Sequence, residues 1–327
     1  MIISWNTTKA CNLKCAHCYR DAGEKDANEL TTQEGKDLLG EIASAGFKIV
    51  ILSGGEPLLR KDIFELISYT KSLGLRAVLG SNGTLLTREI AGKLKQAGLS
   101  RAGISLDSKD NRIHDDFRKQ KGAWAKTVEA MKICREEGLD FQVHTTVTKR
   151  NYQQILEITD FVSGLGAAAH HIFFLVPTGR GKDINDVLIT AQDIQEVLKE
   201  ILNKQKEITM ELKPVCAPQF IPLSRKMGMT LRFQRGCLAG TSYCCILPNG
   251  DVHPCPYLPI RVGNVREEKF SSIWKNSEIL RKLRTLDYGG SCAVCVDKNS
   301  CGGCRARAYY YTGGDFMAED PDCVFTA

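Results

Sequence analysis

This 327-residue chain contains fourteen cysteines, and the spacing of many of them is that of metal or iron–sulfur ligands. Three of them, Cys11, Cys15 and Cys18, form the C-x-x-x-C-x-x-C segment "CNLKCAHC" near the start of the chain. Thiolates at such spacings bind zinc or iron–sulfur clusters, and both kinds of centre take four ligands. The fourth ligand must therefore come from a distant part of the chain, or it is not a cysteine.

Nine further cysteines lie between residues 237 and 323, where glycine and proline also become frequent. The segment "CAVCVDKNSCGGC" contains two C-x-x-C pairs, as a zinc ribbon does, and from spacing alone zinc and iron–sulfur ligation are comparable explanations. Two cysteines stand alone. Cys134 lies in a helical pattern and is expected to be a buried apolar residue. Cys216, in "KPVCAPQF", could be an extra ligand, a substrate contact or a buried residue.

The elements that must position the first cysteines follow a regular alternation. From about residue 36 to 208, helical patterns that end at glycine are followed by short β-branched runs, and with the opening strand "IISWNTT" they make six βα units. This alternation predicts a parallel sheet with helical crossovers, whose active site lies at the carboxyl ends of the strands. Six units are too few for a closed eight-stranded barrel. We therefore expect an α/β fold with a partial, open (β/α)6 TIM-like barrel, and a doubly wound open sheet is the alternative.

This alternation of helix and strand patterns ends after about residue 210. We place the barrel in residues 1–212 and a second, loop-rich and cysteine-rich domain in residues 213–327. A domain with so little apolar core is expected to be stabilised by bound metal.

The bulk composition excludes several other classes of protein. A net charge of +6 with scattered basic residues does not indicate nucleic-acid binding, although it suits an anionic small substrate. No stretch is long and apolar enough to span a bilayer, and the first residues lack the layout of a signal peptide. We therefore expect a cytoplasmic protein, in which metal ligation explains the cysteines better than disulfides do.

The cysteine loop after the first strand and "SGGEP" after the second resemble the radical SAM superfamily. The resemblance implies that Cys11, Cys15 and Cys18 hold a 4Fe-4S cluster whose fourth iron binds S-adenosylmethionine, with His17 in place of the usual aromatic residue. Glu56 is expected either to accept from the cofactor's ammonium group or to order its loop. The implied cofactor-binding residues are Gly54, Gly55, Glu56, Ser81, Asn82, Ser105, Asp107 and Arg118. Taken singly, each of these side chains is better explained as a turn, a cap or a solvated charge.

The C-terminal cysteines resemble the SPASM extension of the same superfamily, which binds auxiliary 4Fe-4S clusters. The resemblance implies two further ligand sets. One auxiliary cluster is expected on Cys292, Cys295, Cys301 and Cys323, and another on Cys237, Cys255 and Cys304 with either Cys244 or Cys245. The spacing "CGGC" is one residue shorter than is frequent in that extension.

A finer resemblance, carried by "HHIFFLVPTGRG", "LRFQRGCLAG" and "CGGCRARAYYY", is to the radical SAM haem synthases of the siroheme-dependent route. It implies oxidative decarboxylation of two propionates of iron-coproporphyrin III to the vinyl groups of haem b, with electrons from a donor such as ferredoxin or flavodoxin. Candidate contacts for this anionic tetrapyrrole are His171, Arg180, Lys182, Arg232 and Arg235. The alternatives are a related tetrapyrrole reaction (acetate decarboxylation of a siroheme-derived substrate, or d-type haem synthesis), a SPASM maturase of peptides or proteins, and a non-enzymatic zinc or iron–sulfur module.

Overall fold

A single mixed sheet organises the structure, a computed structural model that describes residues 1–184 and 187–325. The strands are β1 Ile2–Thr8, β2 Ile49–Gly54, β3 Arg76–Ser81, β4 Arg101–Ser105, β5 Phe141–Val147, β6 Ala169–Phe174, β7 Glu211–Val215, β8 Tyr243–Ile246, β9 Asp251–His253 and β10 Gly263–Asn264. In the described residues their order in the sheet is β10-β9-β8-β1-β2-β3-β4-β5-β6-β7. The run from β8 to β7 is parallel throughout, and β9 and β10 are added antiparallel.

Helices connect the parallel strands, and shorter helices lie between loops in the C-terminal part. Thr31 with Glu34, and Thr190 with Asp193, cap two of them through reciprocal side-chain and backbone hydrogen bonds. The helices are α1 Thr32–Ser44, α2 Ile63–Ser72, α3 Arg88–Ala97, α4 Asn111–Arg118, α5 Ala123–Glu137, α6 Ile155–Gly164, α7 Ala191–Gln205, α8 Phe220–Lys226, α9 Phe270–Asn276, α10 Glu278–Thr285, α11 Ser291–Val294 and α12 Arg305–Thr312.

The six predicted βα units are confirmed, from β1–α1 to β6–α7. Alternate strand residues such as Ile3, Trp5, Val50 and Leu52 belong to the main apolar core. Because strand side chains alternate, the opposite face of the same strands is free for polar residues, among them Asn6. One face of the sheet therefore packs the apolar core, and the opposite face can carry the polar residues of a functional site.

The sheet also contains strands that the alternation does not predict. β7 extends the sheet beyond the sixth unit and crosses the division expected after residue 212. β8, from the cysteine-rich part, pairs parallel with β1, so that Ile2 lies opposite Tyr243 and Trp5 opposite Ile246. The C-terminal part therefore contributes a strand to the same sheet as the first cysteines, although residues 326 and 327 of that part lie outside the described residues.

Within the described ranges, no helix is both long and apolar enough to cross a membrane.

Candidate functional site

The loop that follows β1 holds Cys11, Cys15 and Cys18. Cys15 is buried, and the other two are partly exposed. Each sulfur accepts a hydrogen bond, in chain order from Leu13 N (3.4 Å), Arg118 Nη1 (3.8 Å) and Ala22 N (3.5 Å). N–H donors around sulfur are the environment that stabilises a cluster-bound thiolate.

Arg180, expected as a substrate contact, supports this loop instead. Its Nε donates to the carbonyl of Cys15 at 3.0 Å, and its Nη1 donates to that of Ala22 at 2.9 Å. The Arg180 backbone N–H also donates to the carbonyl of Cys18. The neighbouring Gly179 lies so close that a Cβ there would be 2.5 Å from the same carbonyl oxygen. The polar segment expected after the sixth strand therefore lies at the cysteine loop, but the Arg180 guanidinium donates its hydrogen bonds to main-chain carbonyls.

Gly54 and Gly55, at the end of β2, lie directly against the start of the cysteine loop. A Cβ at Gly54 would be 2.3 Å from the carbonyl oxygen of Thr8, and one at Gly55 would be 2.1 Å from that of Ala10. Gly54 also has a φ of 141°, which favours glycine. Only glycine allows the two backbone segments to approach this closely.

Glu56 is fully buried beside these glycines. Its carboxylate accepts hydrogen bonds from Leu58 N at 3.1 Å, from Ser81 Oγ at 2.9 Å and from Asn82 N at 2.8 Å. Burial raises the pKa of Glu56 to about 7, even though these hydrogen bonds act in the opposite direction. Of the two roles expected for Glu56, the contacts correspond to ordering of the loop. Asn82 in turn donates through Nδ2 to Asn12 of the cysteine loop at 2.9 Å.

Asp107 and Arg118 form a buried ion pair at the end of β4. Arg118 Nε donates to Asp107 Oδ2 at 2.6 Å, and its Nη1 reaches the sulfur of Cys15. Although burial alone would raise it, the Arg118 guanidinium holds the pKa of Asp107 at about 2. Ser105 donates to the carbonyl of Ser81, so the ends of β3 and β4 are joined. The structure thus brings all the predicted cofactor residues to one edge of the sheet around the cysteine loop.

His17 takes the place of an aromatic residue within that loop. Its ring stacks on Phe117 of α4 with the centroids 4.1 Å apart. Burial lowers the pKa of His17 to about 3, so its imidazole is neutral. His17 therefore packs as an aromatic ring rather than acting as a charge.

A cavity of about 520 Å³ opens between this edge of the sheet and the C-terminal part of the chain. It adjoins the cofactor glycines, since Gly54 and Gly55 form part of its wall. Its polar lining includes three cations, four tyrosines and two carboxylates: Lys9, Arg20, Lys182, Tyr19, Tyr257, Tyr309, Tyr310, Asp21 and Asp26. The tyrosines can pack against a flat ligand, and the cations can pair with its anionic groups.

Three other predicted substrate residues lie away from this cavity. His171 is 3.5 Å from Glu211 across adjacent strands, and the exposed Arg232 also pairs with Glu211, at 2.9 Å. Arg235 donates to the carbonyl of Cys237 at 3.2 Å. Among the predicted substrate contacts, only Lys182 lines the cavity.

One predicted auxiliary set comes together around a second, smaller cavity. It measures about 190 Å³, and the buried Asp320 also lines it. Its cysteines are the four expected together: Cys292, Cys295, Cys301 and Cys323.

The other predicted set is only partly assembled as expected. Cys255 packs against the small apolar cluster that contains Cys304. Burial raises the pKa of Cys255 well above its ordinary value, and the thiols of Cys237, Cys304 and Cys245 act in the same direction. Cys244 and Cys245 are adjacent on β8 and therefore point to opposite faces. Cys244 lies in the main apolar core. The sulfur of Cys245 accepts from Asn6 and Arg20.

Cys216 is the residue that the sequence interpretation left unassigned. It follows β7 directly, and it packs against the small apolar cluster that contains Cys304. No sequence signal places it there, because it is separated from the other cysteines and from any C-x-x-C pair.

The candidate donor sets consist of cysteine thiols, which are the ligands that iron–sulfur clusters take. In the described part of the chain, no three or more His, Cys, Asp or Glu side chains converge closely enough to hold one metal ion. Four thiolates on one zinc must converge at about 2.3 Å from a single centre. In a cubane each thiolate binds a different iron, so the sulfurs lie farther apart. Which cysteines are ligands stays a prediction.

Two family models match the chain. Residues 5–162 match the radical SAM superfamily, and residues 237–304 match SPASM, described as an iron–sulfur cluster-binding domain. The fold and the cysteine-rich edge thus define a radical SAM enzyme with a SPASM domain, whose cofactors are 4Fe-4S clusters and S-adenosylmethionine.

Full-length relatives narrow this class. The chain is 43% identical to an AdoMet-dependent heme synthase of Methanosarcina barkeri, over 99% of this chain and 96% of the relative. It is 40% identical to the protein of that name from Nitratidesulfovibrio vulgaris, over 99% and 92%. A third relative, an Fe-coproporphyrin III synthase of Methanosarcina barkeri, is 32% identical over 99% of this chain and 88% of the relative. The chain belongs to the family of these AdoMet-dependent heme synthases.

Solved structures support the fold at low sequence identity. Streptococcus suis SuiB bound to S-adenosylmethionine superposes with a TM-score of 0.82 at 18% identity, covering 99% of this chain and 77% of SuiB. Native anSMEcpe with bound AdoMet gives 0.73 at 17%, covering 94% and 89%. Both comparisons show a shared architecture only.

Proposed function

We propose that this enzyme oxidatively decarboxylates two propionate side chains of iron-coproporphyrin III, which yields the two vinyl groups of haem b. The observation that carries the proposal is the cavity of about 520 Å³, because it joins the cofactor glycines to a wall of tyrosines and cations. The names of the full-length relatives support haem synthesis as the overall activity.

The ligand sets are proposed as follows. Cys11, Cys15 and Cys18 would hold the cluster that binds S-adenosylmethionine, and the C-terminal cysteines would hold the auxiliary clusters. When bound, the first cluster and its cofactor supply the one-electron chemistry that removes an unactivated hydrogen atom from the substrate. Low-potential electrons would come from a donor such as ferredoxin or flavodoxin.

The chain's own residues would position the tetrapyrrole. Lys9, Arg20 and Lys182 can each pair with a propionate, while Tyr19 and Tyr257 offer flat surfaces to the macrocycle. The two tyrosine rings already pack together, with centroids 5.1 Å apart. A propionate held near Gly54 and Gly55 would lie beside the cofactor cradle.

Conversion of a propionate to a vinyl group removes a hydrogen atom, releases carbon dioxide and leaves one electron to be taken up. An auxiliary cluster held in part by Cys255 would be the acceptor of that electron, and Tyr257 would connect it to the cavity. Tyr257 lines the cavity, and its backbone N–H donates to the sulfur of Cys255 at 3.5 Å. The reaction needs no general base.

The test is anaerobic incubation of the cluster-loaded enzyme with S-adenosylmethionine, a reductant and iron-coproporphyrin III, followed by mass spectrometry. We expect loss of two molecules of carbon dioxide and formation of 5′-deoxyadenosine. Cofactor cleavage without any loss of carbon dioxide would keep the enzyme class and reject the substrate. A siroheme-derived substrate in the same assay distinguishes the related tetrapyrrole reaction.

A matched pair of variants tests the cavity itself. Lys182→Ala removes a cation from its wall, whereas Arg232→Ala removes an exposed cation that lies outside it. One partly solvated ion pair contributes about 1 kcal/mol, so we expect a KM about fivefold higher for Lys182→Ala. An equal effect of the two substitutions would contradict the proposed binding site.

A further inference from the structure

We propose that Cys216 is the fourth ligand of the auxiliary cluster held by Cys237, Cys255 and Cys304, in place of Cys244 or Cys245. The inference concerns iron–sulfur ligation and does not depend on the tetrapyrrole proposed as substrate.

The backbone at Cys216 is held in an unfavourable conformation. Its φ is 61°, in the left-handed region that residues with a Cβ avoid. The conformation costs about 1–2 kcal/mol and persists only where the surroundings enforce it. Here it lets the chain turn directly after β7, so that the side chain packs against the cluster that contains Cys304.

Cys216 packs with two members of the predicted set. Cys304, Cys216 and Cys255 belong to one small apolar cluster together with Val176 and Leu258. Cys237 lies close to the same segment, since a Cβ at Gly302, two residues before Cys304, would be 3.5 Å from the Cβ of Cys237. These four cysteines therefore surround one region of the C-terminal part.

A buried network fixes Cys216 relative to Cys304. Arg307, 1% exposed, donates through Nη2 to the carbonyl of Cys216 at 2.8 Å. Its Nη1 lies 3.3 Å from Asp320 Oδ2, which accepts from the backbone N–H of Cys304 at 2.7 Å. One guanidinium and one carboxylate thus fix the position of both cysteines. The buried cation also offsets the negative charge that four thiolates bring to a cluster.

The two cysteines of β8 have other surroundings. Cys244 is fully buried in the main apolar core and lies opposite Ile3 of β1. Cys245 lies near enough to Cys255 to interact electrostatically, and its sulfur accepts from Asn6 Nδ2 at 3.2 Å and from an Arg20 Nη at 3.1 Å. Unlike Cys216, it does not belong to the small apolar cluster that contains Cys255 and Cys304. Cys216 is the candidate that packs in one cluster with Cys255 and Cys304.

The experiment uses the full-length chain with Cys11, Cys15 and Cys18 replaced by alanine, so that only auxiliary clusters remain. Cys216→Ala is compared with Cys244→Ala and Cys245→Ala after anaerobic reconstitution. Iron and acid-labile sulfide are measured for each chain, and the reduced protein is examined by electron paramagnetic resonance. We expect Cys216→Ala to contain fewer irons per chain than its parent, by one up to about four, the content of a whole cubane. One of the parent's resonance signals should also be lost. The two controls should keep the parent iron content and spectrum.

Three results would overturn the assignment. The first is a parent-like iron content and spectrum in Cys216→Ala, and the second is loss of that signal in Cys244→Ala or Cys245→Ala instead. The third is a Cys216–Cys304 disulfide, found by mass spectrometry in iron-loaded protein. Cys216→Ser controls for a folding defect as the cause of iron loss, because the serine oxygen can still bind iron. We expect it to retain the cluster with a shifted spectrum, and an unshifted spectrum would reject ligation.

Discussion

The close approach of β2 to the cysteine loop makes Gly55→Ala an informative perturbation. The added methyl group would lie 2.1 Å from the carbonyl oxygen of Ala10 and 2.7 Å from that of Lys9. Non-bonded heavy atoms attract at roughly 3.5–4.0 Å, so the two backbone segments must separate by about 1 Å or more. That separation acts on the loop that carries the first three cysteines.

The cost can be worked out from the contacts that the separation breaks. Gly55 N donates to the carbonyl of Thr8 at 2.8 Å, and Glu56 N donates to that of Ala10 at 2.7 Å. Each such hydrogen bond contributes about 1 kcal/mol net, and overpacking costs about 1–3 kcal/mol. We expect Gly55→Ala to lower the free energy of unfolding by about 3–5 kcal/mol.

The assay is urea unfolding of the cluster-free protein, with reconstituted iron content and affinity for S-adenosylmethionine as functional readouts. Gly92→Ala is the matched control, because Gly92 lies in α3 with no atom within 4 Å of an added Cβ. An alanine inside a helix should raise stability there by about 0.5–1 kcal/mol. A Gly55→Ala protein with wild-type stability, iron content and affinity would refute the argument from close packing.

Three further outcomes are expected. Because burial raises the pKa of Glu56 from 4.5 to about 7, its contribution to stability is present below pH 4.5 and is lost as the pH rises through 7. Stability should therefore fall by about 3 kcal/mol relative to Glu56→Gln between pH 4.5 and 8, in urea unfolding at each pH, and a rise would contradict the assignment. Cys11→Ala should form no 5′-deoxyadenosine, whereas Cys292→Ala should cleave the cofactor without releasing vinyl product. Mass spectrometry measures both products. Formation of vinyl product by Cys292→Ala would contradict the auxiliary role of Cys292. Asp320→Asn leaves the buried Arg307 without one of its carboxylate partners and should cost about 3 kcal/mol, seen as a lower unfolding midpoint; an unchanged midpoint would mean that the ion pair does not stabilise the fold.

The alternation of helices and strands was enough to predict the six βα units, because helix periodicity and terminal glycines are local signals. β7 escaped prediction since Pro214 interrupts its pattern, and proline is tolerated there because β7 is an edge strand. β8 escaped for another reason: its partner β1 lies more than 200 residues earlier in the chain. Nothing local in "YCCI" indicates that pairing.

The candidate site was predictable where residues follow strand ends in order, as Glu56, Asn82 and Asp107 do. It was not predictable where a side chain turns away from the cavity. Arg180 has the expected charge and position in sequence, yet its guanidinium binds carbonyls of the cysteine loop. The conformation of Cys216 likewise depends on Arg307, a residue 91 positions away.

The pairing of β8 with β1 has a consequence for synthesis of the chain. β1 is made first, but one of its two neighbours is made only when residues 243–246 emerge. Until then the nascent chain presents an unpaired strand edge, which is a template for association with other chains. Pairing between such distant segments is also slow to form. We therefore expect the β1 edge of the sheet to become protected from aggregation only after residues 243–246 have emerged from the ribosome and paired with β1.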